Sequence, residues 1–391
     1  MNLDFLYGIL NLSFWQYVLT ALIMVQVTIT GVTLYLHRDA AHRSLDLHPA
    51  LRHIFRLWLW MSSGMITREW VAVHRKHHAK CETADDPHSP VIFGLKKILL
   101  EGAELYKTQA YNPETVEKYG RGTPDDWLER NLYAGHRNLG IILMVLIDLL
   151  LFGVPGIIII AVQMISMPLF AAGVINGLGH HTGYRNYECP DAATNVLPWG
   201  VFLGGEELHN NHHAFPSSAK FSSRSWEFDI GWLWIKILSA LGLAKVLRVA
   251  PQPARAPHKH VDIETVRAVI VNRMHVLRDY TVKVVLPVFR AELHTAGGKL
   301  SSGVRKLLVR EPVLLDEPAR HRLSQILESS QALKTVHDFR ERLQVLWKGG
   351  HNSNDTLLQH LKDWIAQAEA SGIKALQDYA ATLRGYSMQR A

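Results

Sequence analysis

Nine of the chain's 22 histidines fall into four short blocks, and their spacings are those of metal ligands. His37 and His42 stand five apart in HRDAAH. His74, His77 and His78 form HxxHH, and His209, His212 and His213 repeat that pattern. His180 completes the set, with Asn176 one helical turn before it. Imidazoles at i, i+3 and i+4 lie on one side of a helix and can converge on a point. A single zinc takes four protein ligands at most, and a catalytic zinc three. Nine imidazoles therefore overshoot one ion and suit two, each with four or five nitrogens. Imidazole suits iron, copper, nickel and zinc, so donor type alone does not choose the metal. His37 and His42 are the awkward pair, because on a straight α-helix they lie about 140° apart. Either the helix bends there or the two rings approach the metal pair from different sides. His48, His53, His88, His136 and His181 read as ordinary polar residues or as supports behind the ligands.

For the blocks to meet, the elements carrying them must deliver all four to one side. Phe14 to Leu36 is free of charge and long enough to cross the roughly 30 Å of bilayer hydrocarbon. "LGIILMVLIDLLLF", "GVPG" and "IIIIAVQMISMPLFAAGVI" read as two spans joined by a tight Gly/Pro turn. The first arm is short and holds Asp148, so it must tilt, thin the bilayer or place Asp148 near an interface. Arg38, Arg43 and Arg52 follow the first span and Arg130 and Arg137 precede the hairpin, whose tip is uncharged. The positive-inside rule then places all four blocks on the cytoplasmic face. "LRHIFRLWLWMSSGMI" is expected to lie in the interface with Trp58 and Trp60 at headgroup level, since a crossing there would divide the blocks. "IGWLWIKILSALGLAKVL" reads the same way.

Length and composition agree with a membrane protein of more than one unit. At 391 residues the chain exceeds an average domain. Its net charge of +7 suits nucleic acid or an anionic membrane surface; the apolar spans favour the membrane, and no nucleic acid partner is expected. Cys81 and Cys189 are too few for a disulfide framework and point to a reducing compartment. No cleavage site follows the first apolar run, so no removable signal peptide is expected. Three parts are expected: residues 1–250 as a membrane domain, a Pro-rich linker at 251–259, and soluble helices over 260–391. The last part resembles helical portions of bacterial transposases, without a catalytic carboxylate set. It reads as solvated helices, or as a basic scaffold resting on headgroups or receiving an electron donor.

HRDAAH, HRKHH and HNNHH, with the returning His180, resemble the membrane-bound fatty acid desaturases of the stearoyl-CoA desaturase-like group, over roughly residues 10 to 250. "ETADDPHSP", "INGLGHHTGYRNYECPDAATN" and "GEELHNNHHAFP" resemble the surroundings of those motifs in that family. The resemblance implies an all-α fold of integral membrane helices carrying a cytoplasmic histidine-box cap, followed by a C-terminal soluble helical domain. It implies that His37, His42, His74, His77, His78, His180, His209, His212 and His213 bind two iron ions, and that Asn176 reaches a metal through water. O2 is then the co-substrate and a cis double bond the product, delta-9 being the family's usual outcome. The expected location is the bacterial inner membrane. Ala72 and Val73 stand where acyl-CoA-using members carry Arg-Asp, which favours an acyl-lipid substrate of the bacterial type and leaves acyl-CoA open. No HPGG haem motif is present, so electrons are expected from an external ferredoxin-like carrier and its reductase.

Rings bound only through nitrogen need carboxylates to orient them through the other N–H. Asp39, Asp85, Asp86, Asp191 and Glu206 are available, with Glu206 ranked first and Asp39 next. The acyl chain requires a long, dry, bent cavity, near which stand Trp70, Trp199, Phe202, Phe215 and Trp226, equally readable as anchors or core. Two rivals remain: a membrane di-iron alkane or lipid hydroxylase, and a metal-binding or transporting membrane protein without redox chemistry. Transport predicts polar residues inside the spans, and the first span has only Gln, Thr and Tyr.

Overall fold

A capping box at Ser13 and Gln16 starts one long helix in the uncharged sequence that follows. This is α1 (Phe14–Gly31), which continues without a break through Val32–Ala41 in the wider π form. The structure, a computed structural model, describes residues 4–256, 260–295, 302–348 and 353–388. It is mostly helical and divides into two units, Met1–Arg185 with Asp191–Ala250, and Asn186–Pro190 with Pro251–Ala391.

In the first unit, α2 (Pro49–Ser63) has proline in its first turn and ends at Gly64, whose φ of 66° suits glycine. α3 (Thr67–Lys80) carries the second histidine block. α4 (Pro90–Phe93), α5 (Leu95–Ala110) and α6 (Pro113–Tyr119) follow. α7 (Arg137–Phe152) turns at Gly153 into α8 (Val154–Met167). A Cβ on Gly153 would stand 2.0 Å from the Leu6 carbonyl, so this hairpin tip requires glycine. Beyond Met167 the helix continues as a π segment, Pro168–Gly177, and a 3₁₀ turn, Leu178–His180. Pro168 lacks the N–H that an α-helix would use, and the helix widens from there. The short α9 (His209–Ala214) holds the third block, and α10 (Ile230–Ala240) precedes Ala244–Val246, which pairs antiparallel with Leu45–Leu47.

Among the described residues two continuous helices, Phe14–Ala41 and Val154–His180, are long and apolar enough to cross a membrane. α7, at 16 residues, is shorter. Leu19, Leu22 and Ile23 on α1, Leu146 and Leu150 on α7, and Ile157, Ile158 and Ile165 on α8 are exposed, an outward display of large apolar side chains that water disfavours. α2 does not present both its tryptophans outward as expected. Trp60 is 1% exposed, packed on Tyr133 at 5.4 Å and against Gly140, while Trp58 donates to Thr28 Oγ1 at 2.8 Å.

The second unit packs its helices around Val269, Tyr280, Phe339, Leu361, Trp364 and Tyr379. Asp262 caps its first helix by accepting from the Thr265 N–H. Within the Pro-rich stretch, Ala254–Arg255 pairs with Tyr386–Ser387; residues 257–259 lie outside the described ones.

Candidate metal centre

The π segment after α1 resolves the awkward pair. The His42 N–H donates to the His37 carbonyl at 3.0 Å, a five-residue turn that sets both rings on the same side, 4.9 Å apart. With His74 and His78 from α3 and His212 from α9, they offer five ring nitrogens all within 4.8 Å of one another. Nε2 atoms face each other at 2.8 Å for His42 and His74, 3.0 Å for His37 and His212, and 2.9 Å for His212 and His78.

A second cluster lies beside the first. His77, His180, His213 and the Cys81 thiol converge within 4.8 Å, and His209 joins through its Nε2, 2.9 Å from that of His180. Behind the rings stand carboxylates. Glu206 meets His37 Nδ1 at 2.7 Å, Asp86 meets His77 Nδ1 at 2.9 Å, Glu82 meets His180 Nδ1 at 2.9 Å and Asp191 meets His213 Nδ1 at 3.1 Å. A carboxylate accepting from Nδ1–H fixes the tautomer and leaves Nε2 a bare lone pair.

The rings are also held neutral. Burial drives His74, His78, His209, His212 and His213 well below the ordinary imidazole range, and the crowd of neighbouring imidazoles pushes the same way. His42 falls to about 3 by burial, with Arg75 adding to it. Buried polar atoms normally find partners, yet His213 Nε2, opposite the nitrogen that meets Asp191, has none. Neutral rings, inward lone pairs and this orphaned nitrogen together fit two cations of the kind that imidazole binds.

Other expectations fared unevenly. Glu206 orients His37 and is steadied by Thr33 Oγ1 at 2.7 Å. Asp39 does not orient a ring: Arg52 takes both its oxygens, at 2.6 and 2.7 Å. Asp85 pairs with Lys80 at the surface, leaving Asp86 to do the orienting. Glu82 was missed; its φ of 60° turns the chain back so that the side chain reaches His180, which spacing does not reveal. Cys81 was likewise unassigned. His88, read as a lone polar residue, packs on His77 with ring centres 4.5 Å apart.

A cavity of about 400 Å³ reaches the centre, where His37, His74, His209, Glu206 and Asn176 line it. Val32, Val73, Ile141, Met167 and Ile175 are among its apolar walls. Of the aromatic residues singled out from the sequence only Trp70 lines it, stacked 5.0 Å from His74; Trp199, Phe202 and Trp226 are exposed.

The model of the fatty acid desaturase family matches residues 13–227, more than half of the chain and all nine clustered histidines. The chain belongs to the fatty acid desaturase family. This desaturase is therefore an oxidoreductase of lipid metabolism. It is 32% identical over 251 residues to the sn-1 stearoyl-lipid 9-desaturase of a Synechocystis species, an alignment covering 63% of this chain and 74% of that protein. It is 31% identical to Delta-9 acyl-lipid desaturase 1 of Arabidopsis thaliana, over 62% of this chain and 78% of the other. An acyl-CoA C20 Delta5-desaturase of Anemone leveillei is 32% identical, over 56% and 69%. A transposase family model matches residues 263–389, so the likeness of the second unit is to a different family.

Proposed function

We propose that the chain is an O2-dependent desaturase that introduces a cis double bond, at delta-9, into an acyl chain of a membrane phospholipid. His37, His42, His74, His78 and His212 hold one iron ion; His77, His180, His209 and His213 hold the other, with Asn176 reaching it through water. Two irons bound there would supply, with O2 and two electrons, an oxidant strong enough to take hydrogen from an unactivated methylene. Glu206, Asp86, Glu82 and Asp191 keep the Nδ1 protons and so aim the Nε2 lone pairs inward. The cavity walls exclude water and hold the chain beside the centre.

The observation that carries this reading is the meeting of two imidazole clusters at one end of an apolar cavity. The acyl-lipid substrate and delta-9 position are supported by the names of the Synechocystis and Arabidopsis relatives. Membrane insertion is supported by the two long apolar helices and the exposed apolar side chains beside them. Arg38, Arg43, Arg130 and Arg137 support a cytoplasmic active site in the inner membrane. Electrons come from a separate ferredoxin-like carrier and its reductase. In this reading residues 1–250 form the catalytic part, and 260–391 a helical addition that takes no part in the chemistry.

The test is to express the chain in a host lacking unsaturated fatty acids and to profile its lipids. Delta-9 double bonds that disappear with His212→Ala are expected. Hydroxylated chains would instead make it a hydroxylase, and unchanged lipids would overturn the redox assignment.

A further inference from the structure

An acyl chain that reaches the histidines leaves its polar end elsewhere along the cavity. Away from the metal centre the lining includes Glu69, Tyr106, Lys107, Tyr111, Arg137 and Asn138. Lys107, Tyr111 and Asn138 are exposed, whereas His37 and His209 are buried, so this end is the mouth. Arg137 donates to Glu69 at 2.8 and 3.2 Å and lies 4.7 Å over the Tyr111 ring. Its charge is thereby balanced. Lys107 makes no ion pair among the described residues and is left as the uncompensated charge of the mouth.

The mouth also stands at a particular level. Arg137 and Asn138 open α7, and exposed Leu139, Ile142, Leu143 and Leu146 follow directly on the same helix. Polar surface thus gives way to apolar surface within about one helical turn, roughly 5 Å. A bilayer places phosphate and ester groups at such a boundary, with the chains on its apolar side. Before the second histidine block, Ala72 and Val73 are 0% and 2% exposed and offer no cation there. Coenzyme A carries several phosphate groups and calls for several cations; one uncompensated lysine suits a single phosphodiester.

We propose that Lys107, flanked by Tyr111 and by Arg137 in its pair with Glu69, binds the phosphate and adjoining ester of a glycerophospholipid whose acyl chain enters the cavity sideways from the bilayer. This rests on the desaturase reading for its meaning, but it can be tested without turnover. Phosphatidylglycerol carrying a diazirine in its sn-1 chain is photo-crosslinked to the full chain in detergent, and the labelled residues are mapped by mass spectrometry. Label is expected on cavity residues such as Met164 and Met167. Lys107→Glu should weaken half-maximal labelling by roughly tenfold, the scale of one lost charge-assisted hydrogen bond, and Lys107→Arg should restore it. A long-chain acyl-CoA added at equal concentration should not displace the label. Unchanged labelling in Lys107→Glu, or displacement by acyl-CoA, would overturn the proposal while leaving the desaturase reading intact. Lysine-dependent labelling by a chain that makes no double bonds would do the reverse.

Discussion

The backbone N–H of His42 donates to the carbonyl of His37 across five residues, at 3.0 Å. That one wide turn puts two ligands of the first block into the same cluster, where an α-helix would separate them by about 140°. Inserting one alanine between Ala40 and Ala41 should rotate His42 by a further 100° or so. Loss of the first ion with retention of the second is expected, as read by metal analysis of the purified protein.

The carboxylates behind the rings should act on separate sites. Glu82→Gln and Asp191→Asn weaken the grip on His180 and His213 and should lower metal affinity of the second cluster by about 10–100-fold. Glu206→Gln should do the same to the first. Asp39→Asn should leave both affinities unchanged, because Asp39 serves Arg52. Competition with a chelator measures all four.

Arg38 is fully buried and joins the first block to the loops on either side of the third. It donates to Asp229 at 3.0 Å, to the Gly204 and Ala219 carbonyls, and covers the Phe221 ring. Removing one partner of a buried pair leaves the other charge stranded, typically at about 3–5 kcal/mol. Asp229→Asn is expected to lower stability by that order in thermal or denaturant unfolding, and to loosen the first metal site along with it.

Metal-free protein should be acid-sensitive in a defined direction. Burial holds the clustered imidazoles below their ordinary range, His42 to about 3, so the unfolded chain binds more protons than the folded one below pH 6.5. Stability is then complete above that pH and falls as pH drops toward 3. Unfolding of the apoprotein across this window checks the sign; bound metal, competing with protons for the same lone pairs, should shift the loss to lower pH.

Much of the site could be read from residue types because ligand spacing on a helix is a local property. HxxHH on α3 and α9 needs only 3.6 residues per turn; Glu206 stands out beside the third block, although the ring it orients is His37 of the first. The π turn at His42 was not legible, since it depends on how α1 ends against its neighbours. Glu82 rather than Asp39 backs a ring for a similar reason: a left-handed residue redirects the chain, and Arg52 claims the other carboxylate. The burial of Trp60 follows from a glycine, Gly140, on a helix far along the chain. The cavity mouth joins α3, α5 and α7, whose meeting no single stretch of sequence encodes.

The most direct measurement is the metal content and X-ray absorption spectrum of the chain loaded with iron under anaerobic conditions. Two irons per chain in a shell dominated by imidazole nitrogen are predicted, falling to about one in a His77→Ala, His180→Ala double variant. A single iron in the intact chain, or a shell dominated by carboxylate oxygen, would contradict the two-cluster centre.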